Sequence, residues 1–465
     1  MPGALMSTAY RLLFLVGLCA VAAAQRPNVV LVMADDQGWG DVGYQAHPTL
    51  KTPHLDAMAA SGVRFDRWYA GAPVCSPTRG TCLTGRHHLR YGIPTANAGH
   101  LPKSEPNLAA ILKQAGYRTG HFGKWHLGTL TKTIKDSNRG GTAKGRKHYA
   151  PPWDRGFDVC FSTEAKVPTF DPMKTPPSWA GGVGKNAKTG SPYGTRYWTG
   201  PDQSVQDEAL AAKDDSNLIM DRATRFISDS VGADKPFLAI IWFHAPHLPV
   251  VASEGDQEPY RSETRDQHRH YLGCITAMDR AVGWLRAHLR QLKVADETMV
   301  WFCADNGPEG RNKAPGSSGG LRGRKRDLYE GGIRVPGLME WPGQLKQARV
   351  IAAPCSTLDY LPTVLSATGV PLPKGAPPLD GVDLMPLLSG TMTTRPRPIP
   401  FAFGGRAALI EDRWKIVRPA KTKPFALYDI SADPSESTDR SETHQLVKTR
   451  MVAAWRQFEA SLPSR

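Results

Sequence analysis

The chain is poor in cysteine. Cys19, Cys75, Cys82, Cys160, Cys274, Cys303 and Cys355 are the only seven in 465 residues, and without a paired spacing they exclude a small disulfide-stapled scaffold. Collagen-like and coiled-coil patterns are missing, and no internal repeat is found. Beyond the first 25 residues no apolar run approaches the roughly 20 residues that span a bilayer. Acidic residues are in the minority, 43 against 58 Lys and Arg, which leaves a formal charge of +15. That imbalance favours anionic partners: nucleic acid, an acidic membrane, or a sulfated or phosphorylated substrate. What is present describes a folded protein: 40% hydrophobic and 22% charged residues, with 12 Trp and 39 Pro dispersed along the chain, exclude a largely disordered one. The length suits one large core plus a smaller unit, because single cores stop growing near about 250–300 residues.

Residues 1–25 read as a removable export signal. Arg11 precedes the apolar run Leu12–Val21, and Ala22-Ala23-Ala24 before Gln25 offers small residues for cleavage near Ala24/Gln25. Cys19 follows Leu18 and not a small residue, so a lipid-modified cysteine is not expected. The mature chain is expected to be exported, periplasmic or secreted, with no membrane span. Loss of Arg11 leaves a charge of +14.

Strands and helices alternate. Asn28–Met33 is a continuous apolar, β-branched run of the type buried on both faces of a parallel sheet, and it runs into Ala34-Asp35-Asp36. Met299–Cys303 runs likewise into Ala304-Asp305-Asn306-Gly307, and Phe237–Phe243 into His244-Ala245-Pro246-His247. Helices are predicted over 53–62, 108–116 and 271–292, the last with apolar residues at three- and four-residue steps from Ile275 to Leu289. This alternation predicts an α/β fold with a largely parallel sheet, whose ligands bind at the carboxyl ends of the strands. Residues 129–200 read as long surface loops, with Lys132, Lys135, Arg139, Lys144, Arg146 and Lys147 a possible polyanion contact. Trp153, Trp179 and Trp198 are candidate sugar contacts. A Pro-rich stretch at 371–398 leads to a C-terminal unit with strands at 407–410, 415–417 and 426–428 and a final helix over 446–462.

The chemistry gathers at the strand ends. Asp35, Asp36, Asp305 and Asn306 are hard oxygen donors suited to Ca²⁺, or to Mg²⁺ as the lesser alternative, where a zinc site would want His and Cys. Unpaired carboxylates gathered there would repel one another unless a cation neutralised them.

Cys75-Ser76-Pro77-Thr78-Arg79-Gly80 resembles the signature Cys-x-Pro-x-Arg of the formylglycine-dependent sulfatases. Five further blocks resemble that family in the same order: 27–36, Gly123-Lys124-Trp125-His126-Leu127-Gly128, Pro246-His247, 304–307 and 324–334. The resemblance implies an alkaline-phosphatase-like fold: a large mixed, mostly parallel sheet flanked by helices, with a smaller C-terminal α+β subdomain of a short antiparallel sheet and a terminal helix. It divides the chain into the signal at 1–25, a catalytic domain over 26–390 and the subdomain over 391–465.

The resemblance also implies the mechanism. Cys75 is oxidised to Cα-formylglycine (3-oxoalanine), whose hydrate attacks sulfur, forms a covalent sulfo-enzyme and then expels sulfate, so that one hard step becomes two. Asp35, Asp36, Asp305, Asn306 and the modified residue 75 hold the cation. Arg79 orients residue 75, Lys124 and Lys325 bind sulfate oxygens, His126 takes a proton during elimination and His247 protonates the leaving oxygen. Gly323-Arg324-Lys325-Arg326 departs from many relatives in placing arginines beside the lysine, which blurs which cation is catalytic. The implied partners are a sulfated small molecule or glycan and a formylglycine-generating maturase, with no nucleic acid. The same residue patterns leave open a phosphonate monoester or phosphodiester hydrolase and a non-catalytic polyanion-binding protein.

Overall fold

The computed structural model describes residues 26–134, 136, 145–164, 166–184, 186–206, 210–311 and 314–463. Residues 1–25, read above as an export signal, and the basic residues Lys135, Arg139 and Lys144 lie outside the described residues.

A ten-stranded sheet dominates. Its order across the sheet is Arg349–Ile351, Val63–Phe65, Gly337–Glu340, Thr298–Ala304, Asn28–Ala34, Phe237–Trp242, Arg118–Lys124, Val159–Thr163, Tyr197–Gly200, Gln203–Val205. The five strands from Thr298–Ala304 to Val159–Thr163 run parallel, and the Asn28–Ala34, Phe237–Trp242 and Thr298–Ala304 strands are buried along their whole lengths. Mostly apolar side chains are buried on both faces of these strands, which is why the runs show no alternation in sequence. Helices Pro53–Ser61, Leu108–Gln114, Asp215–Gly232 and Asp266–Gln291 flank the sheet. The last starts five residues before the predicted Tyr271, because the polar turn at Asp266–His270 carries no apolar periodicity to announce it.

Two differences from expectation concern 129–200 and the tail. The supposed loop region contains Val159–Thr163 and Tyr197–Gly200, both members of the main sheet. These strands are short, and the Gly- and Pro-rich chain around them hides them. Trp198 is 1% exposed and its Nε1 donates to Asp136 Oδ2 (2.6 Å), so it is core and not a sugar platform. The C-terminal sheet has four antiparallel strands, Ile399–Phe403, Arg406–Glu411, Trp414–Arg418 and Ala426–Asp429, followed by helix Gln445–Ala460. Its faces alternate with period two. Ala407, Leu409 and Ile416 pack on Met451 and Trp455 of the helix, while Ala408, Ile410 and Val417 pack on Tyr69, Leu328 and Ile333 of the main body. A third, three-stranded sheet joins Arg334–Val335, Trp68–Tyr69 and Cys355–Ser356.

Candidate active site

Register brings the acids together. Ala34 lies opposite Ala304 on parallel neighbouring strands, so Asp35-Asp36 and Asp305-Asn306 leave the sheet side by side. The Asp36 backbone N–H donates to Asp305 Oδ1 (3.1 Å) and Asn306 Nδ2 donates to Asp36 Oδ1 (2.7 Å). On the other side, Met33 pairs with Trp242 and Trp242 with Gly123, which brings the ends carrying His247 and Lys124 into the same crevice. Gly123 is required for this approach: a Cβ there would lie 1.9 Å from the Trp242 carbonyl oxygen. Asp36 and His126 hold left-handed backbones, φ 65° and 53°, a conformation that costs energy for non-glycine residues and clusters at functional sites.

Cys75 is the first residue of helix Cys75–Thr84. Helical spacing puts Arg79 one turn below it on the same face. Arg79 Nη2 and Nε donate to Asp305 Oδ2 (2.7 and 3.1 Å), Nη1 donates to the Lys124 carbonyl (2.9 Å), and Nη2 lies 3.4 Å from Asp35 Oδ2. The guanidinium carbon sits 5.1 Å from the Trp242 ring centroid. One buried arginine therefore ties the Cys75 helix to three strand ends. Ser76 adds a further tie by donating to the His126 carbonyl (2.6 Å). Cys75 Sγ lies 3.5 Å from Asp35 Oδ1, and its thiol is pushed well up by burial and by Asp305 and Asp35.

Lysines face the carboxylates. Lys124 Nζ pairs with Asp35, and Lys325 Nζ lies 2.6 and 2.8 Å from the two oxygens of Asp36 and 3.2 Å from Glu309. Burial would raise Asp35, yet Lys124, His247, Arg79 and Lys325 together hold it well below the usual carboxylate range. Asp305 goes the other way: burial and its neighbour Asp35 push it to about 7. Two acids at adjacent strand ends thus differ because one faces more cations.

The basic triplet is resolved by direction. Arg324 donates to the carbonyls of Pro315, Glu309 and Gly316 (2.7, 2.9 and 2.9 Å) and holds a loop. Arg326 pairs with both oxygens of Glu309 (2.6 and 3.0 Å). Lys325 alone points at the acid cluster. Glu309 was missed in the sequence; its signal was the need of three adjacent cations for a counter-ion. His244, which matched no block, is buried between Asp215 Oδ2 (2.7 Å) and Thr163 Oγ1 (2.6 Å), so it packs the strand end.

Asp35, Asp36, Cys75 and His247 offer ligand atoms that all lie within 4.8 Å of one another. The Oδ1 of Asn306 is buried with no hydrogen-bond donor among the described residues, as expected of an oxygen kept for a cation. His247 was expected to serve protons. Its Nδ1 bonds the Leu248 carbonyl (2.6 Å), which turns Nε2 toward Asp36 at 3.6 Å. Burial and Lys124 push the ring down to about 4, so at neutral pH Nε2 presents a lone pair to the cluster. A cavity of about 390 Å³ opens above these residues, lined by Cys75, His126, His247 and Lys325.

An α/β sheet that ends in a buried acid cluster, with Cys75 on a helix N-terminus, Lys124 paired into that cluster and Lys325 facing one cavity, suits the hydrolysis of an anionic ester. Residues 27–370 match the sulfatase family and residues 323–458 match the N-sulphoglucosamine sulphohydrolase C-terminal family. The chain belongs to the sulfatase family and is a sulfuric ester hydrolase. It is 32% identical over 427 residues to steryl-sulfatase of Rattus norvegicus, covering 80% of this chain and 72% of that one. It is also 32% identical over 413 residues to N-acetylgalactosamine-6-sulfatase of Canis lupus familiaris, covering 84% and 72%. A crystal structure of Ps i-CgsB in complex with k-i-k-neocarrahexaose superposes with TM-score 0.80 at 26% identity, covering 94% of both chains. The family generally uses formylglycine and a divalent metal, and the donor set described here fits both.

Proposed function

We propose that the chain is exported after cleavage near Ala24/Gln25 and hydrolyses sulfate esters of carbohydrates to alcohol and inorganic sulfate. The observation that carries the hydrolytic site is the convergence of Cys75, Lys325, His126 and His247 on one cavity above Asp35, Asp36, Asp305 and Asn306. The carbohydrate class is supported by relatives named for a sulfated amino sugar and for a complex with a neocarrahexaose.

Oxidation of Cys75 to the formylglycine aldehyde by a maturase that uses molecular oxygen, followed by addition of water to that aldehyde, supplies a hydroxyl nucleophile, which the buried, protonated thiol does not. A divalent cation, Ca²⁺ in preference to Mg²⁺, would supply charge that polarises the sulfate when bound. Asp35, Asp36, Asp305 and Asn306 would hold that cation together with residue 75. Lys124 and Lys325 bring two ammonium groups to the sulfate oxygens and stabilise the charge that builds on them. Arg79 fixes residue 75 by locking the helix that carries it. His126 accepts the proton from the residue-75 hydroxyl. His247 delivers one to the leaving oxygen once the bound sulfate, an added anion beside it, raises the imidazole from its value of about 4.

The test is the turnover of 4-nitrocatechol sulfate, defined sulfated mono- and disaccharides and an aryl phosphodiester, with mass spectrometry of the tryptic peptide containing position 75. Sulfate release from saccharides with an aldehyde at position 75 is the expected result. Faster turnover of the phosphodiester, or full activity with an unmodified thiol, overturns the reading.

A further inference from the structure

Lys325 is the member of the basic triplet that faces the acid cluster, yet a lysine stem is flexible and does not aim itself. Its Nζ stands between two acids, 2.6 Å from Asp36 and 3.2 Å from Glu309. A small change in the backbone that carries it would therefore exchange the site carboxylate for the one at the cavity rim. The path of that backbone is set at the next residue. Arg326 has φ 78°, a left-handed conformation that persists in a non-glycine residue only where its surroundings over-determine it.

Three contacts distant in sequence do so. The Arg326 backbone N–H donates to the Pro73 carbonyl (2.9 Å), two residues before Cys75. Its guanidinium is held by Glu309 (2.6 and 3.0 Å). Its carbonyl meets no backbone N–H among the described residues. It accepts instead from Arg406 Nη1 (2.5 Å), a charge-assisted bond, and the same nitrogen lies 3.4 Å from Asp327 Oδ1.

Arg406 comes from the C-terminal sheet. It pairs with Phe403 across the two-residue turn Gly404-Gly405, whose φ angles of 55° and 81° fit the tight hairpin that two glycines allow. Phe403 lines the catalytic cavity, so the turn delivers Arg406 to the loop beside it. With its side chain 38% exposed, Arg406 is not a core residue.

We infer that Arg406 is a positioning residue for Lys325: it fixes the left-handed turn that follows the lysine, so that the C-terminal sheet sets the direction of an ammonium group in the sulfate site. The inference rests on the reading above in which Lys325 binds sulfate oxygens. It gives the C-terminal sheet a part in catalysis without any contact between Arg406 and the substrate.

The experiment is a double-mutant cycle on the matured enzyme. It is read as kcat/KM on whichever of 4-nitrocatechol sulfate and the sulfated saccharides is hydrolysed fastest, and as the inhibition constant of inorganic sulfate. Arg406→Ala is expected to lower kcat/KM by about tenfold and to weaken sulfate inhibition, the effect of a misaimed charged contact. Arg406→Lys, which keeps a donor for the carbonyl, is expected to lose less. In a Lys325→Ala background, Arg406→Ala is expected to change neither quantity. Undiminished kcat/KM in Arg406→Ala, or the same fold loss with and without Lys325, overturns the positioning role and leaves the sulfate-site reading standing. Full kcat/KM and unchanged sulfate inhibition in Lys325→Ala remove Lys325 from the sulfate site, and the inference falls with it.

Discussion

Two buried charge clusters can be compared side by side. One is the acid cluster at the strand ends. The other joins the C-terminal sheet to the main body, where Lys415 Nζ meets Glu330 at 2.9 Å and Glu436 at 3.0 Å. There Tyr69 donates to Glu330 (2.9 Å), the Glu330 backbone N–H donates to Glu436 (2.6 Å), and Arg334 approaches Glu330 at 3.5 Å. Glu330, Glu436 and Lys415 are all fully buried. The difference lies in what they face. The Lys415 cluster is closed on every side by sheet and loop, whereas the strand-end cluster opens through Cys75, His247 and Lys325 onto a cavity and keeps an orphaned oxygen on Asn306. Similar residue types thus serve stability where packing seals them and chemistry where packing leaves a door.

That contrast can be broken experimentally. The largest effect belongs to Cys75→Ala, which is expected to lower turnover by roughly 10⁴-fold or more while leaving the melting temperature nearly unchanged. Equal losses of activity and stability would show that residue 75 is structural. Lys415→Ala should do the reverse. It strands two buried carboxylates, so denaturant unfolding should show a loss of about 3–5 kcal/mol, with turnover per folded molecule preserved.

Lys325→Ala should cost about 10²–10³ in kcat/KM, the scale of one lost donor in a preorganised anion site, and Lys325→Arg should not restore it fully, because a planar fork does not replace a point charge. Loss of the same size in Arg326→Ala would move the role to the neighbour.

The smallest effect is a slope. Burial and the adjacent Glu330 push Glu436 from 4.5 to about 7 against the pull of Lys415. The folded protein keeps that proton through a window in which the unfolded chain has released it, so the stability it contributes is full below about pH 4.5 and is lost as pH rises toward 7. The span is on the order of 3 kcal/mol. Melting curves of Glu436→Gln should be flatter than wild type across that window; parallel curves would remove Glu436 as the cause.

Much of the strand-end cluster was legible in the chain. Buried parallel strands are continuous apolar runs, and a carboxylate pair straight after such a run is a local feature, so Asp35, Asp36, Asp305 and Asn306 stood out. Cys75, Arg79, Lys124, His126, His247 and Lys325 were found through ordered motif blocks, and all are gathered here. Glu309, Ser76 and the inward turn of Arg324 were not legible, because each depends on a partner distant in sequence or on the path of a loop. Val159–Thr163 and Tyr197–Gly200, strands of five and four residues, escaped for another reason: so short a strand shielded by its neighbours needs no pattern of its own. The Lys415 cluster carried no signal at all, since its three charges come from 330, 415 and 436.

The sequence by itself determined the architecture of alternating strands and helices, the positions of the acids and the place of Cys75 in its motif, because periodicity and short motifs are properties of adjacent residues. Only the tertiary structure decided which cation faces which carboxylate, which of three basic neighbours points inward, and that Phe403 of the C-terminal sheet lines the cavity. Those depend on register and packing between segments hundreds of residues apart, where a few ångströms separate a sealed ion pair from a site.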